Sequence, residues 1–104
     1  MNTMEFFMTE APEAAQAFNN LIKSLSESTG LDSKTKQLIY ISMKASQGDT
    51  AAVTAHTHML KKLGASRDEL KETILMTLTV SGIKGVAACL EPALNVFDSE
   101  ADEK

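Results

Sequence analysis

Hydrophobic residues recur along this chain of 104 residues at intervals of three and four, the spacing that places them on one face of an α-helix. The pattern predicts a first helix from about Pro12 to Ser28 and a second from about Ser33 to Gln47, capped by Asp32. A third helix lies between the cap Asp49 and the stop Gly64. We find no segment with the strict alternation of a half-buried strand. The sequence therefore predicts an all-α fold, a compact helical bundle of about five to six helices.

The fourth predicted helix has the clearest local signal in the chain, and the fifth contains a proline that conflicts with a regular helix. Ser66 and Glu69 have the spacing of a capping box at the start of the fourth helix. The second half of this helix, ILMTLTV, is apolar nearly all round, which indicates that a neighbouring subunit covers it. Gly82 and Gly85 break the chain before the fifth helix, and Pro92 lies inside the pattern of that helix. Because a proline ring clashes with the carbonyl four residues earlier, we expect a kink or a restart there.

The third helix carries a histidine among apolar residues. On a helical wheel its apolar stripe consists of Ala52, Ala55, His56, Met59, Leu60 and Leu63. His58 points the other way, towards solvent. Burying an imidazole among aliphatic side chains costs free energy unless it is hydrogen-bonded, so His56 has two interpretations. It is either a core or interface histidine bonded to a carbonyl or hydroxyl, or a general acid or base whose pKa is tuned by a hydrophobic pocket.

Length and charge bound the organisation and the partners. We expect a single domain over 1–104, with a core at 31–97, an N-terminal arm at 1–11 and a disordered acidic tail at 98–104. The net charge is −4, yet residues 33–90 hold eight Lys and Arg against four Asp and Glu. An acidic chain without a basic stripe is a poor nucleic-acid binder. The positive middle is compatible with a small anionic ligand, but scattered surface lysines are the interpretation that we favour.

The remaining candidates for chemistry are weaker. One cysteine, Cys89, excludes an internal disulfide, and its place on a core stripe is typical of an inert side chain, with a redox role between subunits as the alternative. His56 and His58 are two residues apart and cannot bind one metal ion from the same helix, so we expect neither a metal nor a cofactor. The weak candidates for contacting a ligand are His58, Tyr40, Gly82 and Gly85.

Nothing in the chain is typical of a secreted or membrane protein. The first ten residues, MNTMEFFMTE, lack the basic and apolar regions of a signal peptide. No apolar run approaches the roughly 20 residues that span a bilayer. We therefore expect a cytoplasmic protein with no membrane partner.

Three segments resemble the carboxymuconolactone decarboxylase and alkyl hydroperoxidase D-like superfamily. They are LDSKTKQLIYISMKASQGD, AHTHMLKKLGASRDELKETILM and SGIKGVAACLEPAL, which together cover most of residues 31–97. The resemblance implies an alkyl hydroperoxidase D-like helical fold assembled as a homotrimer or homohexamer. It also implies that the third helix is the helix of the active site.

The hydroperoxidase branch carries a Glu, then C-x-x-C, then a His three residues beyond the second cysteine. In this sequence the matching positions are Gln37 for the Glu, Asp49 and Ala52 for the cysteines, and His56 for the histidine. Because a thiolate is the nucleophile of that chemistry, the resemblance excludes the dithiol peroxidase mechanism. The decarboxylase branch needs no cysteine, but it carries an acidic residue where Ala52 stands.

The leading hypothesis from the sequence is a divergent decarboxylase-like enzyme or binding protein for a small organic acid. In it, His56 is the proton donor or the anchor of the ligand. The alternative is an oligomeric protein that has kept the fold and lost the chemistry of the family. A peroxidase or antioxidant protein is the third and weakest hypothesis, since the redox cysteines are absent.

Overall fold

A computed structural model describes residues 1–99, which form seven helical segments and no strand. The segments are α1 (Thr3–Glu10), α2 (Pro12–Glu27), α3 (Ser33–Ser46), α4 (Thr50–Lys62), α5 (Arg67–Leu75), α6 (Leu78–Ser81) and α7 (Lys84–Ser99). The all-α prediction is confirmed. None of these helices combines the length and the apolar character that crossing a membrane requires.

The chain divides into two compact units, and the first, Met1–Leu31, contains α1 and α2. Residues 1–11, expected as an arm, include the helix α1, whose start is capped by the Asn2 side chain. The rings of Phe7 and Phe18 lie 6.3 Å apart and join the two helices. The large apolar side chains of α2 are largely exposed, with Leu21 at 53% and Leu25 at 57%.

The second unit begins at Asp32 and holds the hydrophobic core. The core side chains come from α3, α4, α5 and α7 and from the turn after α4: Ile41, Ala45, Val53, Leu60, Ala65, Leu70, Ile74, Cys89 and Ala93. Asp32 and Asp49 cap α3 and α4 by accepting hydrogen bonds from backbone N–H groups. The capping box of Ser66 and Glu69 at α5 is complete, as predicted, with both reciprocal hydrogen bonds present.

The predicted fourth helix is divided in two, and this corrects the sequence analysis. The helix α5 ends at Leu75, and α6 is a single turn that begins at Leu78. Between them Thr77 is buried, and its hydroxyl donates to the carbonyl of Ile74 at 2.6 Å. The break is stabilised locally because this hydroxyl is satisfied within the turn.

The prediction that both Gly82 and Gly85 interrupt the chain is half right. Gly82 ends α6 with a positive φ of 63°, a conformation that glycine adopts without steric cost. Gly85 instead lies buried inside α7. A Cβ there would stand 2.6 Å from Oγ1 of Thr77 and 2.7 Å from the carbonyl oxygen of Ala45. The missing side chain therefore lets α7 approach α3 closely.

The restart predicted at Pro92 is wrong, because α7 runs without interruption from Lys84 to Ser99. Proline has no N–H, so the carbonyl of Ala88 lacks the donor that a helix would supply. The hydroxyl of Thr50, at the start of α4, donates to that carbonyl at 2.9 Å. A side chain of the neighbouring helix thus supplies the donor that proline removes.

The acidic tail was predicted to begin at residue 98, but residues 98 and 99 belong to α7. Asp98 belongs to α7, and its carboxylate accepts two hydrogen bonds from the guanidinium of Arg67, at 2.9 and 3.1 Å. This pair ties the end of α7 to the start of α5. The rest of the predicted tail, residues 100–104, lies outside the described residues.

Candidate functional site

The face of α4 that enters the core is not the one predicted. Its buried residues are Val53, Thr57 and Leu60, whereas Met59 of the predicted stripe is 48% exposed. Thr57 is buried with its hydroxyl hydrogen-bonded, because Oγ1 donates to the carbonyl of Val53 at 2.8 Å. The buried stripe is displaced by about one residue from the predicted one. His56 therefore lies at its edge, partly buried.

His56 is hydrogen-bonded to α3. Its Nδ1 lies 2.9 Å from Oε1 of Gln37. A carboxamide oxygen only accepts hydrogen bonds, so in this arrangement Nδ1 carries the hydrogen. In a neutral imidazole, Nε2 then holds the lone pair. The two residues that occupy the glutamate and histidine positions of the resembled motif are thus in direct contact.

A second residue of α3 covers the imidazole ring. The rings of Tyr40 and His56 have centroids 4.2 Å apart and planes inclined by 34°. Gln37 and Tyr40 are three residues apart, so they lie on one face of α3. One more turn along the helix, Nζ of Lys44 lies 5.8 Å from the centre of the Tyr40 ring. Together these contacts give the imidazole a polar partner at one nitrogen and an aromatic ring on its face.

The electrostatics of the site favour a neutral histidine. Burial and, to a lesser extent, the positive charge of Lys44 hold the pKa of His56 below its ordinary value of 6.5. Nζ of Lys44 lies 3.6 Å from a carboxylate oxygen of Asp49. The other carboxylate oxygen of Asp49 accepts the N–H of Ala52 at 3.0 Å. At pH 7 the site therefore presents an uncharged imidazole near an ammonium group.

The remaining candidates from the sequence lie in different surroundings. Ala52 is one turn before His56 on α4, and Asp49 is the cap of that helix. His58 is exposed, as is Gly82, while Gly85 serves the packing of α7 against α3. Thus Gln37, Tyr40 and His56 come together, and the two glycines contribute to backbone geometry.

Cys89 and metal binding stand apart from this site. Cys89 is fully buried, and burial raises the pKa of its thiol above the ordinary value. In residues 1–99, no three His, Cys, Asp or Glu side chains are grouped so that they could hold a metal ion.

Lys44 is the residue that the sequence analysis did not assign to the site. The signal was present, because the spacing of Gln37, Tyr40 and Lys44 puts all three on one side of α3. Two surface clefts of about 320 and 310 Å³ lie elsewhere on α3, at Leu38 and at Met43, and both reach Met76. Neither of these two clefts is lined by His56.

Comparisons with known proteins place the chain in a family. The model of the carboxymuconolactone decarboxylase family matches residues 12–95. An uncharacterized protein of Methanocaldococcus jannaschii is 32% identical over 95 residues, which are 88% of this chain and 89% of that protein. An uncharacterized protein of Cupriavidus necator is 27% identical over 88 residues, which are 85% of this chain and 77% of that protein.

Two solved structures have the same fold. A carboxymuconolactone decarboxylase family protein from Legionella pneumophila is 29% identical, with a TM-score of 0.78, over 91% of this chain and 84% of that one. A protein of Burkholderia xenovorans LB400, whose crystal structure is named for carboxymuconolactone decarboxylase, has a TM-score of 0.85 over 94% of this chain and 77% of that one. At 24% identity the latter bears on the fold alone. With a family model that spans most of its length, this chain belongs to the carboxymuconolactone decarboxylase family.

Proposed function

We propose that the site between α3 and α4 binds a small organic acid and that His56 exchanges a proton with it. The observation that carries this proposal is the hydrogen bond between Nδ1 of His56 and Oε1 of Gln37. It leaves Nε2 with the lone pair, so this nitrogen can accept a proton and later return it. A histidine that is neutral at pH 7 first takes up a proton, either from the acid or from solvent when the acid is already a carboxylate, and the proton donation expected from the sequence is the second half of the exchange.

Lys44 is the group that would attract the acid. It places a positive charge near the imidazole, and its ion pair with Asp49 is long, at 3.6 Å, and partly exposed to solvent. Ion pairs that solvent reaches contribute little free energy, so a carboxylate ligand can compete for the ammonium group. Loss of CO₂ from an unsaturated acid leaves electron density that must be stabilised and then protonated at carbon. A cation and a histidine side by side suit both needs.

Peroxide reduction is the less favoured function. The positions that match the two redox cysteines hold a carboxylate, Asp49, and a methyl group, Ala52. The thiol of Cys89 is buried in the core with a raised pKa, which lowers the thiolate fraction that such chemistry needs.

The test is a binding and turnover screen with matched histidine variants. The probes are carboxymuconolactone and a panel of small unsaturated and hydroxylated carboxylic acids, with calorimetry for binding and CO₂ release for turnover. His56→Asn and Lys44→Met should each weaken binding of the acid at least tenfold, whereas His58→Asn, on the same helix, should leave it unchanged. Binding of no acid by the wild-type protein, or equal binding by His56→Asn, would refute the proposal.

One observation favours the non-catalytic alternative as the second candidate. Gln37 and Tyr40 together satisfy and cover His56 without any ligand, as they would for a purely structural histidine. In that case the His56→Asn variant should lose stability while no acid binds the wild-type protein.

We further propose that the chain is a homo-oligomer, a homotrimer or homohexamer. The region from Met76 to Ile83 exposes large apolar side chains, with Met76 at 58%, Val80 at 82% and Ile83 at 67%. Clustered apolar surface of this kind is typical of an interface. Light scattering should give a mass of three or six chains for the wild type and a smaller mass for Val80→Lys. A monomeric wild-type protein would contradict this part of the proposal.

A further inference from the structure

We infer that Gln37 is a positioning residue that holds His56 as the Nδ1–H tautomer, so that Nε2 is the nitrogen through which protons are exchanged. This inference rests on the proposed function only for its catalytic meaning. The tautomer itself is a property of the protein without a ligand.

The direction of the hydrogen bond decides the tautomer. Oε1 of Gln37 faces Nδ1 at 2.9 Å and has no hydrogen to donate. The alternative tautomer, with the hydrogen on Nε2, would set two lone pairs against each other at that distance. Free histidine in water prefers the Nε2–H form, so the contact with Gln37 reverses the preference of the isolated side chain.

Tyr40 completes the positioning. Its ring lies against the imidazole with centroids 4.2 Å apart, which restricts rotation of the histidine ring out of its plane. Gln37 alone distinguishes one ring nitrogen from the other, because the aromatic contact is indifferent to which of them carries hydrogen. The two residues therefore have separable tasks, the plane of the ring for Tyr40 and its tautomer for Gln37.

The amide at position 37 also has a consequence for charge. A glutamine accepts the same hydrogen bond as a glutamate but does not titrate. A carboxylate at this distance would stabilise the imidazolium form. Around the ring, Lys44 is a charged neighbour and Tyr40 a titratable one, and both belong to α3. Because the partner of Nδ1 is the amide of Gln37, His56 changes charge without a titrating partner at that nitrogen.

The test is nuclear magnetic resonance of the ¹⁵N-labelled protein without ligand, with His58 as the reference ring in the same spectra. For the wild type at neutral pH, the long-range ¹H–¹⁵N pattern of His56 should be that of a hydrogen on Nδ1. Gln37→Met, which keeps the length of the side chain but removes the acceptor, should shift the population towards the Nε2–H form. Gln37→Glu should keep the hydrogen on Nδ1 and raise the proton affinity of His56 about tenfold or more.

Two outcomes would overturn the inference: a wild-type His56 with its hydrogen on Nε2, or an Nδ1–H pattern that Gln37→Met leaves unchanged. A variant with Tyr40→Phe is the control, because it keeps the aromatic contact and should keep the tautomer. The proposed function is tested separately by acid binding. If the tautomer is as inferred and no acid binds, only the proposed function fails, and if His56→Asn abolishes binding while the tautomer differs, only this inference fails.

Discussion

The hydroxyl of Thr50 performs a task that helix α7 cannot perform for itself. Pro92 deprives the carbonyl of Ala88 of its helical donor, and Thr50 donates to that carbonyl from the start of α4 at 2.9 Å. The perturbation that tests this contact is Thr50→Val, which keeps the shape of the side chain and removes the donor; it also removes the hydrogen bond between Thr50 and the thiol of Cys89, which is present whichever residue stands at 92. Because the substitution leaves a partly buried carbonyl without its partner, we expect a loss of about 1–2 kcal/mol in the free energy of unfolding.

The same reasoning predicts how this loss depends on residue 92. Pro92→Ala restores an N–H four residues after Ala88, so the carbonyl regains its helical hydrogen bond. In that background Thr50→Val should cost less than about 0.5 kcal/mol, since the carbonyl keeps one partner. The two substitutions should therefore be coupled by roughly 1 kcal/mol, although the residues belong to different helices.

Urea unfolding followed by far-ultraviolet circular dichroism measures the four corners of this double-mutant cycle, at one fixed protein concentration because the chain is expected to associate. Thr54→Val is the matched control. Its hydroxyl donates to carbonyls of Thr50 and Ala51, within α4 itself, so its removal should cost little in either background. Equal costs for Thr50→Val with Pro92 and with Ala at 92 would refute the reasoning.

Three further predictions concern packing, pH and the thiol. Gly85→Ala should lower the free energy of unfolding by about 1–2 kcal/mol, because overpacking against a backbone carbonyl costs about 1–3 kcal/mol and the gain in helix propensity offsets up to about 1 kcal/mol. Gly30→Ala is the control and should be neutral or stabilising, since a Cβ there meets open space. A Gly85→Ala variant as stable as the wild type would contradict the close approach of α7 to α3. Since the pKa of His56 is lowered in the folded state, the unfolded chain binds more protons below pH 6.5. The free energy of unfolding should thus fall as the pH drops from 7 to about 5, and urea titrations of His56→Gln should show a shallower fall. If the free energies of wild type and His56→Gln fell equally with pH, the reasoning would be wrong. Cys89 should react with a thiol reagent rapidly in urea and far more slowly in the native protein, and equal rates would mean that its thiol is accessible.

The ends of the helices could be predicted from the sequence because they depend on local chemistry. Asp32, Asp49 and Ser66 cap the helices that follow them, and each uses a side chain within three residues of its partner. Because both hydrogen-bonding groups of such a cap lie within a few residues of each other, the cap can be recognised without knowing the tertiary structure.

The buried faces of the helices could be predicted less well. A helical wheel places Thr57 on the polar face of α4. Its hydroxyl is hydrogen-bonded within that helix, however, and the residue packs in the core as a β-branched apolar residue would. Pro92 reads as a break, but Thr50, distant in sequence, compensates for it. In both cases the sequence pattern implied a polar group without a partner, the hydroxyl of Thr57 or the carbonyl of Ala88. A hydrogen bond satisfies each group in the folded protein, so the expected cost in free energy is absent.

The candidate site was predicted in its residue types but not in its contacts. The resemblance to the family selected Gln37 and His56, and the composition of α3 suggested Tyr40 as a weak candidate. That Oε1 of Gln37 meets Nδ1 of His56 depends on how α3 and α4 are aligned against each other. This alignment is fixed by the packing of Ile41, Ala45 and Val53 in the core, and no local pattern specifies it.

The capping role of Asp49 gives a cost to any single substitution that would place sulfur at this position. Replacing Asp49 with cysteine would remove the cap of α4, at a cost of about 0.5–2 kcal/mol, and the ion pair with Lys44. No dithiol would exist until Ala52 was also replaced. The substitution of Asp49 alone would therefore lower stability without forming a pair of thiols. Any route to a dithiol at these two positions includes this destabilising substitution.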